Sequence, residues 1–532
     1  MNVKFVVLKS ALTLAISASV AVGASAGVMP EHQKNNAWYK NAQTNIADKN
    51  QQTTSNHAKN VILFVGDGMG LSTLTAARIL QGQQKGQLGE EGALSFESFP
   101  YTALVKTYNV DAQTPDSAGT MTAMISGLKT DVGVIGVDED VERGDCSTAQ
   151  GNEVVTALEL AEIKGLSTGV ISTARITHAT PAATYAKSAD RNWEDISDMP
   201  QEAIDAGCED IALQLVNFES NLEARYEGTD INGIEVMMGG GRRHFLPKDE
   251  QYNVEKDVAD GAEGDRTDER HLINEWKAQY SQGTYVNNQS DFNAIDVETT
   301  QPVLALFNES HMQYEADRSN DISGEPSLTE MTRKAIDILD NNDKGFFLTV
   351  ESGRIDHGHH AGNAYNALND AIEFSNAVQA AVDSTNPEET LILVTADHGH
   401  VFTIAGYPKR GNPILGKVIE VGETVPVLAD DNMPYTTLGY ANGRGFKDLG
   451  SETDADAGYD EDIVSERVDL SGINTEEPGF HQESHVPLGS ETHSAEDVSL
   501  HAKGPGAHLA QGVIEQSVVF HVIKQALGLK AE

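Results

Sequence analysis

Four apolar runs, each ending in a carboxylate or an imidazole, set the strongest limit on what this chain can become. Val61-Ile62-Leu63-Phe64-Val65 leads into Gly66-Asp67-Gly68-Met69-Gly70, and Phe346-Phe347-Leu348-Thr349-Val350 leads into Glu351. Leu391-Ile392-Leu393-Val394-Thr395-Ala396 leads into Asp397-His398-Gly399-His400, and Gly169-Val170-Ile171-Ser172-Thr173 leads into Thr177-His178-Ala179-Thr180. Short runs rich in Val and Ile, bracketed by turn residues, fit strands buried on both faces of a parallel sheet. From Asn60 onward such runs alternate with amphipathic stretches. That alternation predicts an α/β fold, a large and mostly parallel central sheet flanked by helices on both faces. Helices are expected over 117–125, 154–163, 328–339 and 508–527. Ligands of open α/β sheets gather outside the carboxyl ends of the strands, where all four runs deliver their polar residues.

The ends and the composition narrow the class. Lys4 and Lys9 precede an apolar stretch that closes on Ala24-Ser25-Ala26, so 1–26 reads as a cleaved secretory signal and the protein as exported, periplasmic or secreted. Removing it takes the formal charge from −44 to −46, which argues against nucleic acid or an anionic membrane as partner. An acidic protein that binds an anion needs local cations, and metals with an arginine would supply them. Residues 27–58 read as a polar N-terminal arm whose large anchors are Trp38 and Tyr39, and 59–532 as one α/β domain. Acidic, polar stretches at about 245–300 and 401–490 interrupt the rhythm and read as insertions; the second includes an acidic run from Glu452 to Glu466. The two cysteines, Cys146 and Cys208, are expected to pair in an oxidising compartment, closing a loop of about 60 residues worth roughly 4 kcal/mol in the chain-entropy model. Two separate thiols are the alternative.

Several residues carry chemistry. The glycines around Asp67 lack the G-x-G-x-x-G spacing, which excludes a dinucleotide fingerprint and leaves a carboxylate projecting from a tight turn, as a ligand or a helix cap. Ser117, after Asp116, opens a helix whose positive end favours an alkoxide and a bound phosphate, although a serine there is more often a simple N-cap. No G-x-S-x-G elbow accompanies it, so an ordinary serine hydrolase is not indicated. A divalent cation can activate a hydroxyl without a histidine base. In Glu351-Ser352-Gly353-Arg354-Ile355-Asp356-His357-Gly358-His359-His360, a helical second half puts Asp356 and His360 on one face, a spacing that suits zinc. Asp397-His398 repeats the theme, and Glu491-Thr492-His493 adds a remote histidine. The donor set of Asp, Glu, His and Thr suits zinc where histidines dominate and magnesium where all donors are oxygen.

In combination these motifs, with His178-Ala179-Thr180-Pro181-Ala182 and Asp190-Arg191-Asn192, resemble the alkaline phosphatase family. The likeness runs from about residue 35 to the C-terminus and leans toward the animal and marine-bacterial forms through Asn192-Trp193 and Gly406-Tyr407-Pro408. The resemblance implies two zinc ions and one magnesium ion per subunit. Asp356, His360 and His493 would hold one zinc. Asp67, Asp397 and His398 would hold the second, with Ser117 beside it as nucleophile and ligand. Asp67, Thr180 and Glu351 would hold magnesium, so Asp67 bridges two metals. Arg191 would grip the phosphate as a fork. His178 and His357 stand where the enterobacterial form has Asp and Lys, and would reach phosphate or magnesium through water.

The implied activity is hydrolysis of phosphate monoesters through a phosphoserine, with broad specificity and an alkaline optimum. The implied assembly is a homodimer, with 401–490 as a crown-like segment and the arm reaching across to the partner. The animal forms carry a fourth, calcium-type site that includes a Phe-Glu pair; here Asn308 follows Phe307, and that site is not assigned. No apolar C-terminal tail is seen, so no lipid anchor is expected. Phosphodiesterase or sulfatase activity within the same metal-hydrolase superfamily is the enzymatic alternative. A non-catalytic, metal-stabilised surface protein is the other, but structural zinc sites are closed and would not offer an adjacent serine and arginine.

Overall fold

The computed structural model describes residues 57–226, 229–254, 261–298, 301–451 and 462–530. The expected leader, nearly all of the expected arm with Trp38 and Tyr39, and most of the acidic run from Glu452 to Glu466 lie outside the described residues. Ten strands form the main sheet: β1 (Asn60–Gly66), β2 (Tyr101–Lys106), β3 (Ser167–Arg175), β4 (Val236–Gly240), β5 (Thr284–Val286), β6 (Val303–Leu306), β7 (Phe346–Ser352), β8 (Thr390–Ala396), β9 (Val498–Lys503) and β10 (Gly512–Glu515). Their order is β10-β2-β9-β8-β1-β7-β3-β4-β6-β5. Only β9 runs antiparallel to its neighbours, β2 and β8. The four runs singled out in the sequence are thus the four adjacent central strands, and every residue of β1, β7 and β8 is buried. Continuous apolar runs fit that position because both faces are covered.

Two groups of helices supply the cover. On one side α1 (Leu71–Gln84), α4 (Leu328–Leu339) and α6 (Ala364–Ser384) pack together; a second group is α2 (Ser117–Ser126), α3 (Ala157–Lys164) and α7 (Val518–Leu527). The α5 helix (Arg354–His360) follows β7 directly. Local chemistry fixes the boundaries. Ser327 and Glu330 form a capping box at the start of α4, and Leu328, Met331, Thr332, Ala335, Ile336 and Leu339 place its buried stripe at helical spacing. Thr156 and Glu159 do the same for α3, so the helix begins at Ala157 and Val154 and Val155 precede it.

The last helix is shorter than the apolar pattern over 508–527 predicted. Gly512, at φ 79°, turns the chain, and Gly512–Glu515 pairs with β2 as the sheet's edge strand. Val513 is 59% exposed there, and the helix starts only at Val518. The stretch 245–300 is partly continuous with the sheet: β5 is its other edge, and Leu272, Ile273, Trp276 and Phe292 belong to the main core. Between β8 and β9 the chain builds a separate three-stranded sheet from Phe402–Ile404, Leu438–Gly443 and Ser484–Pro487. Phe402, Ile414, Leu415, Leu438 and Tyr440 from this excursion pack into the main core. Among the described residues no helix is long and apolar enough to cross a membrane.

Cys146 and Cys208 form a disulfide. They belong to a satellite cluster with Val134, Val137, Ala189, Trp193 and Met199, which anchors both flanks of Arg191. Cys146→Ser with Cys208→Ser should lower unfolding stability by up to about 4 kcal/mol, the loop-closure ceiling, as read by denaturant titration.

At the start of β3, Glu162 and Glu235 are buried around Thr168. The Thr168 hydroxyl donates to Glu162, and its N–H donates to Glu235 Oε2 at 2.7 Å. Burial, then mutual repulsion, pushes Glu162 well above the usual carboxylate range, and burial pushes Glu235 up to about 7. A carboxyl whose folded pKa exceeds its unfolded value near 4.3 stabilises fully below that pH, and the contribution is lost as pH rises toward 7. Glu162→Gln keeps an acceptor for Thr168 and removes the charge. It should raise unfolding stability by about 1–2 kcal/mol at pH 9 and change it little at pH 5, as measured by denaturant titration at both.

Candidate active site

Strand register brings the acidic residues together. Gly66 lies beside Ala396, Val65 beside Glu351, and Ser172 also beside Glu351. Asp67, Glu351 and Asp397 therefore arrive on three neighbouring strands separated by roughly 4.8 Å each. Gly68 must be glycine on two counts. Its φ is 69°, and a Cβ there would meet His400 Nε2 at 2.4 Å. The turn it makes lets its N–H donate to Asp397 Oδ1 at 3.0 Å.

Ser117 is not the helix cap. Asp116 caps α2 by accepting from the Gly119 N–H at 3.1 Å, and Ser117 is the first helical residue. Its hydroxyl, 2% exposed as a residue, lies 3.1 Å from His398 Nε2. Asp116 also accepts from Gly133 N–H (3.0 Å) and from Arg191 (3.1 Å to Oδ2). Burial opposes its ionisation, but Arg191 and the two N–H groups outweigh it and hold its pKa below the usual range. The second terminal nitrogen of Arg191 meets His178 Nε2 at 3.1 Å. The guanidinium is thereby held between Asp116 and His178 beside Ser117.

The carboxylate of Asp67 faces two ways. Oδ1 lies 3.5 Å from His398 Nε2, which is 3.2 Å from Asp397 Oδ2; Thr180 Oγ1 lies 3.4 Å from Asp67 Oδ2. Asp67 Oδ1 and Glu351 Oε1 are buried without a hydrogen-bond partner. Burial first, then repulsion from Asp397, Asp356 and Glu351, drives the Asp67 pKa far up, and burial takes Glu351 to about 7. Ser172 donates to the other oxygen of Glu351. Donor atoms of Asp67, Asp397 and His398 converge as one group, and those of Asp67, Glu351 and His178 as another. His178 Nδ1 has no hydrogen-bond partner. Crowded, orphaned carboxylates of this kind fit bound cations, which supply the missing charge.

A third group forms on α5. Asp356 Oδ1 lies 3.4 Å from Nε2 of both His360 and His493, and these two nitrogens are 3.1 Å apart. His360 Nδ1 sits 2.7 Å from the Glu491 carbonyl and His493 Nδ1 2.8 Å from the Pro115 carbonyl. A carbonyl can only accept, so both Nδ1 atoms carry the proton and both Nε2 lone pairs point at one spot. Bare lone pairs at that distance repel unless a metal lies between them, and Nδ1–H to a carbonyl is the usual support of a ligating histidine. His493 reaches this spot because His493-Ser494 pairs antiparallel with Gly399-His400.

Asp67, Ser117, His178, Thr180, Arg191, Glu351, Asp356, His360, Asp397, His398 and His493 lie in these linked groups, and His357 packs edge-on to His178 with ring centroids 5.6 Å apart. Two histidines were not assigned. His400 sits between Asp356 (2.8 Å to Nε2) and Glu491 (2.5 Å to Nδ1), and against the cost of burial those carboxylates raise its pKa to about 10. It therefore holds Asp356 in place as a cation. Its signal was its place in Asp397-His398-Gly399-His400. His311 packs against His357 (ring centroids 4.1 Å apart, planes tilted by 57°), and nothing in its sequence surroundings marked it.

Comparison with known proteins agrees with this geometry. The family model "Alkaline phosphatase" matches residues 58–529. The chain is 43% identical over 506 residues to the human protein "Alkaline phosphatase, tissue-nonspecific isozyme", covering 94% of this chain and 90% of that one. To the alkaline phosphatase of Gadus morhua it is 41% identical over 478 residues, 90% of this chain and 93% of that one. Among solved structures, alkaline phosphatase from Thermus thermophilus matches with a TM-score of 0.60 at 22% identity, covering 95% of this chain and 96% of that one. The alkaline phosphatase of the Antarctic bacterium TAB5 matches at 0.57 and 22%, over 89% of this chain and 99% of that one; these two show the shared fold. The chain belongs to the alkaline phosphatase family and is a phosphate-monoester hydrolase that works with divalent metal ions.

Proposed function

We propose that the chain hydrolyses phosphate monoesters through a phosphoserine on Ser117, using two zinc ions and one magnesium ion. The observation that carries this reading is the pair of Nε2 atoms of His360 and His493 converging on Asp356, with Ser117 held by His398 in the adjoining group. Asp356, His360 and His493 would hold one zinc. Asp67, Asp397 and His398 would hold the other, next to the Ser117 oxygen, and Asp67, Thr180 and Glu351 would hold magnesium. When bound, such ions lower the pKa of a hydroxyl or water and offset charge that develops on phosphate oxygens.

The residues divide the remaining work. Asp116 caps the helix in place of Ser117 and so frees the Ser117 hydroxyl to attack phosphorus. As the Ser117 oxygen bonds phosphorus its proton passes to solvent, the ester P–O bond breaks in line, and the leaving alkoxide takes a proton from solvent. Water then attacks the phosphoserine from the opposite side, returning the proton to Ser117 and releasing inorganic phosphate. Arg191 keeps a spare N–H on each terminal nitrogen, because Asp116 and His178 use one each, and these spare donors grip two nonbridging oxygens. The N-terminal N–H groups of α2 add to that anion site. His178 and His357 border the magnesium group and act on phosphate or magnesium through water.

Ser117→Ala should abolish phosphoenzyme and lower kcat by roughly 10³-fold or more, leaving slow metal-assisted hydrolysis. Zinc content should be unchanged, because Asp67, Asp397 and His398 remain. Acid-quench trapping of labelled phosphoenzyme and metal analysis test this together; turnover near that of the unmutated enzyme would rule out Ser117 as nucleophile.

The protein is further proposed to be an exported homodimer. Tyr407 (84% exposed), Val421 (81%) and Val425 (63%) give the excursion between β8 and β9 an apolar outer face that a second subunit would cover. Deleting residues 27–50 should weaken the dimer and lower activity without removing a ligand. Light scattering that returns the mass of one chain, at most 57.1 kDa, with full activity would reject the dimer.

A further inference from the structure

We infer that His311 is a positioning residue for phosphate, pinned by Arg175 and Glu194 and acting through His178 on Arg191. The inference rests on the proposed role of Arg191 as the phosphate fork. His311 sits in the loop after β6, and that loop is pegged to the active-site end of the sheet: Gly241 N–H donates to the Ser310 carbonyl (2.6 Å) and Met312 N–H to the Thr173 carbonyl (3.0 Å). The approach requires Gly240, where a Cβ would lie 2.1 Å from the Ser310 oxygen. A loop held this closely presents its side chain in one place.

Arg175, the last residue of β3, then grips the ring. Its backbone N–H meets His311 Nδ1 at 3.1 Å and its guanidinium meets Nε2 at 2.6 Å. Both groups are donors and a neutral imidazole accepts at only one nitrogen, so Arg175 bonds one side of the ring and abuts the other. Arg175 is fixed in turn by Glu194, through Nε to Oε2 at 2.8 Å and NH2 to Oε1 at 2.6 Å. Glu194 also accepts from the Thr177 hydroxyl (2.6 Å) and faces His244 Nε2 at 3.3 Å. On its other side the His311 ring packs edge-on to His178 (centroids 5.4 Å) and against His357 (4.1 Å). His178 is the residue that meets the second terminal nitrogen of Arg191. The chain of contacts therefore runs Glu194, Arg175, His311, His178, Arg191. A fork is useful only in a fixed orientation, and His311 is the wall that keeps His178 from turning away from it.

The test uses metal-loaded enzyme, with inorganic phosphate as the probe for calorimetry and p-nitrophenyl phosphate for kinetics. His311→Ala should weaken phosphate binding and raise KM roughly tenfold, with kcat changed less than about twofold, because orientation rather than chemistry is lost. In a His178→Ala background the same substitution should add nothing further. Phosphate affinity unchanged by His311→Ala, or effects of the two substitutions that add in full, would overturn the inference. His311→Asn, which keeps an acceptor for the Arg175 N–H but removes the ring, serves the same comparison if the alanine variant does not fold. Arg191→Ala separates the two layers. If it leaves phosphate affinity intact, the fork reading itself fails; if it weakens binding while the His311 variants do not, only the positioning role fails.

Discussion

Asp67, Glu351 and Asp397 stand side by side, fully buried, on the ends of three adjacent strands, and the rest of the molecule answers that arrangement. Burial first, and then charge repulsion among the carboxylates of the site, raises their pKa and costs stability unless cations join them. Their spacing follows from the hydrogen-bond register of the parallel sheet, which no side-chain movement can relax. The same electrostatic strain that would weaken the empty site makes it a strong attractor for divalent ions. A chain with a formal charge of −44 thereby gains a place where an anionic substrate can bind.

Around that core, neighbouring residues free the reacting groups for their work. Asp116 caps α2 and holds Arg191, so Ser117 keeps its hydroxyl and Arg191 keeps free donors. The carbonyls of Glu491 and Pro115 fix the tautomers of His360 and His493, and the cationic His400 holds Asp356 from behind. The satellite cluster around the disulfide secures the segment that carries Arg191. Each contact removes a degree of freedom from a group that must be oriented before substrate arrives.

Much of this was legible in the chain. The four central strands announced themselves because strands buried on both faces must be apolar throughout, and each led into polar residues that can bind metal. Asp356 and His360 were readable as a pair because four residues span one helical turn. The α4 boundaries were readable because Ser327 and Glu330 complete a capping box. The pattern over 508–527 misled because Val513 and Ile514 fit a helical stripe as well as they fit an edge strand, and only pairing with β2 distinguishes the two. The stretch 245–300 looked like decoration because a three-residue edge strand is too short to leave a periodic signal.

What the sequence by itself determined was the inventory: which strands are buried, which side chains can bind metal, and which serine opens a helix. Tertiary structure decided which of those side chains meet. His493 is joined to the site by a two-residue ladder with Gly399 and His400, across a separation that no local periodicity can encode. His311 and His400 acquire their roles only from neighbours distant in sequence, Arg175 and Glu491 among them. The physical reason is that strand and helix signals depend on residues a few positions apart. A binding site depends on the register between strands, and that is fixed only when the whole sheet closes on its core.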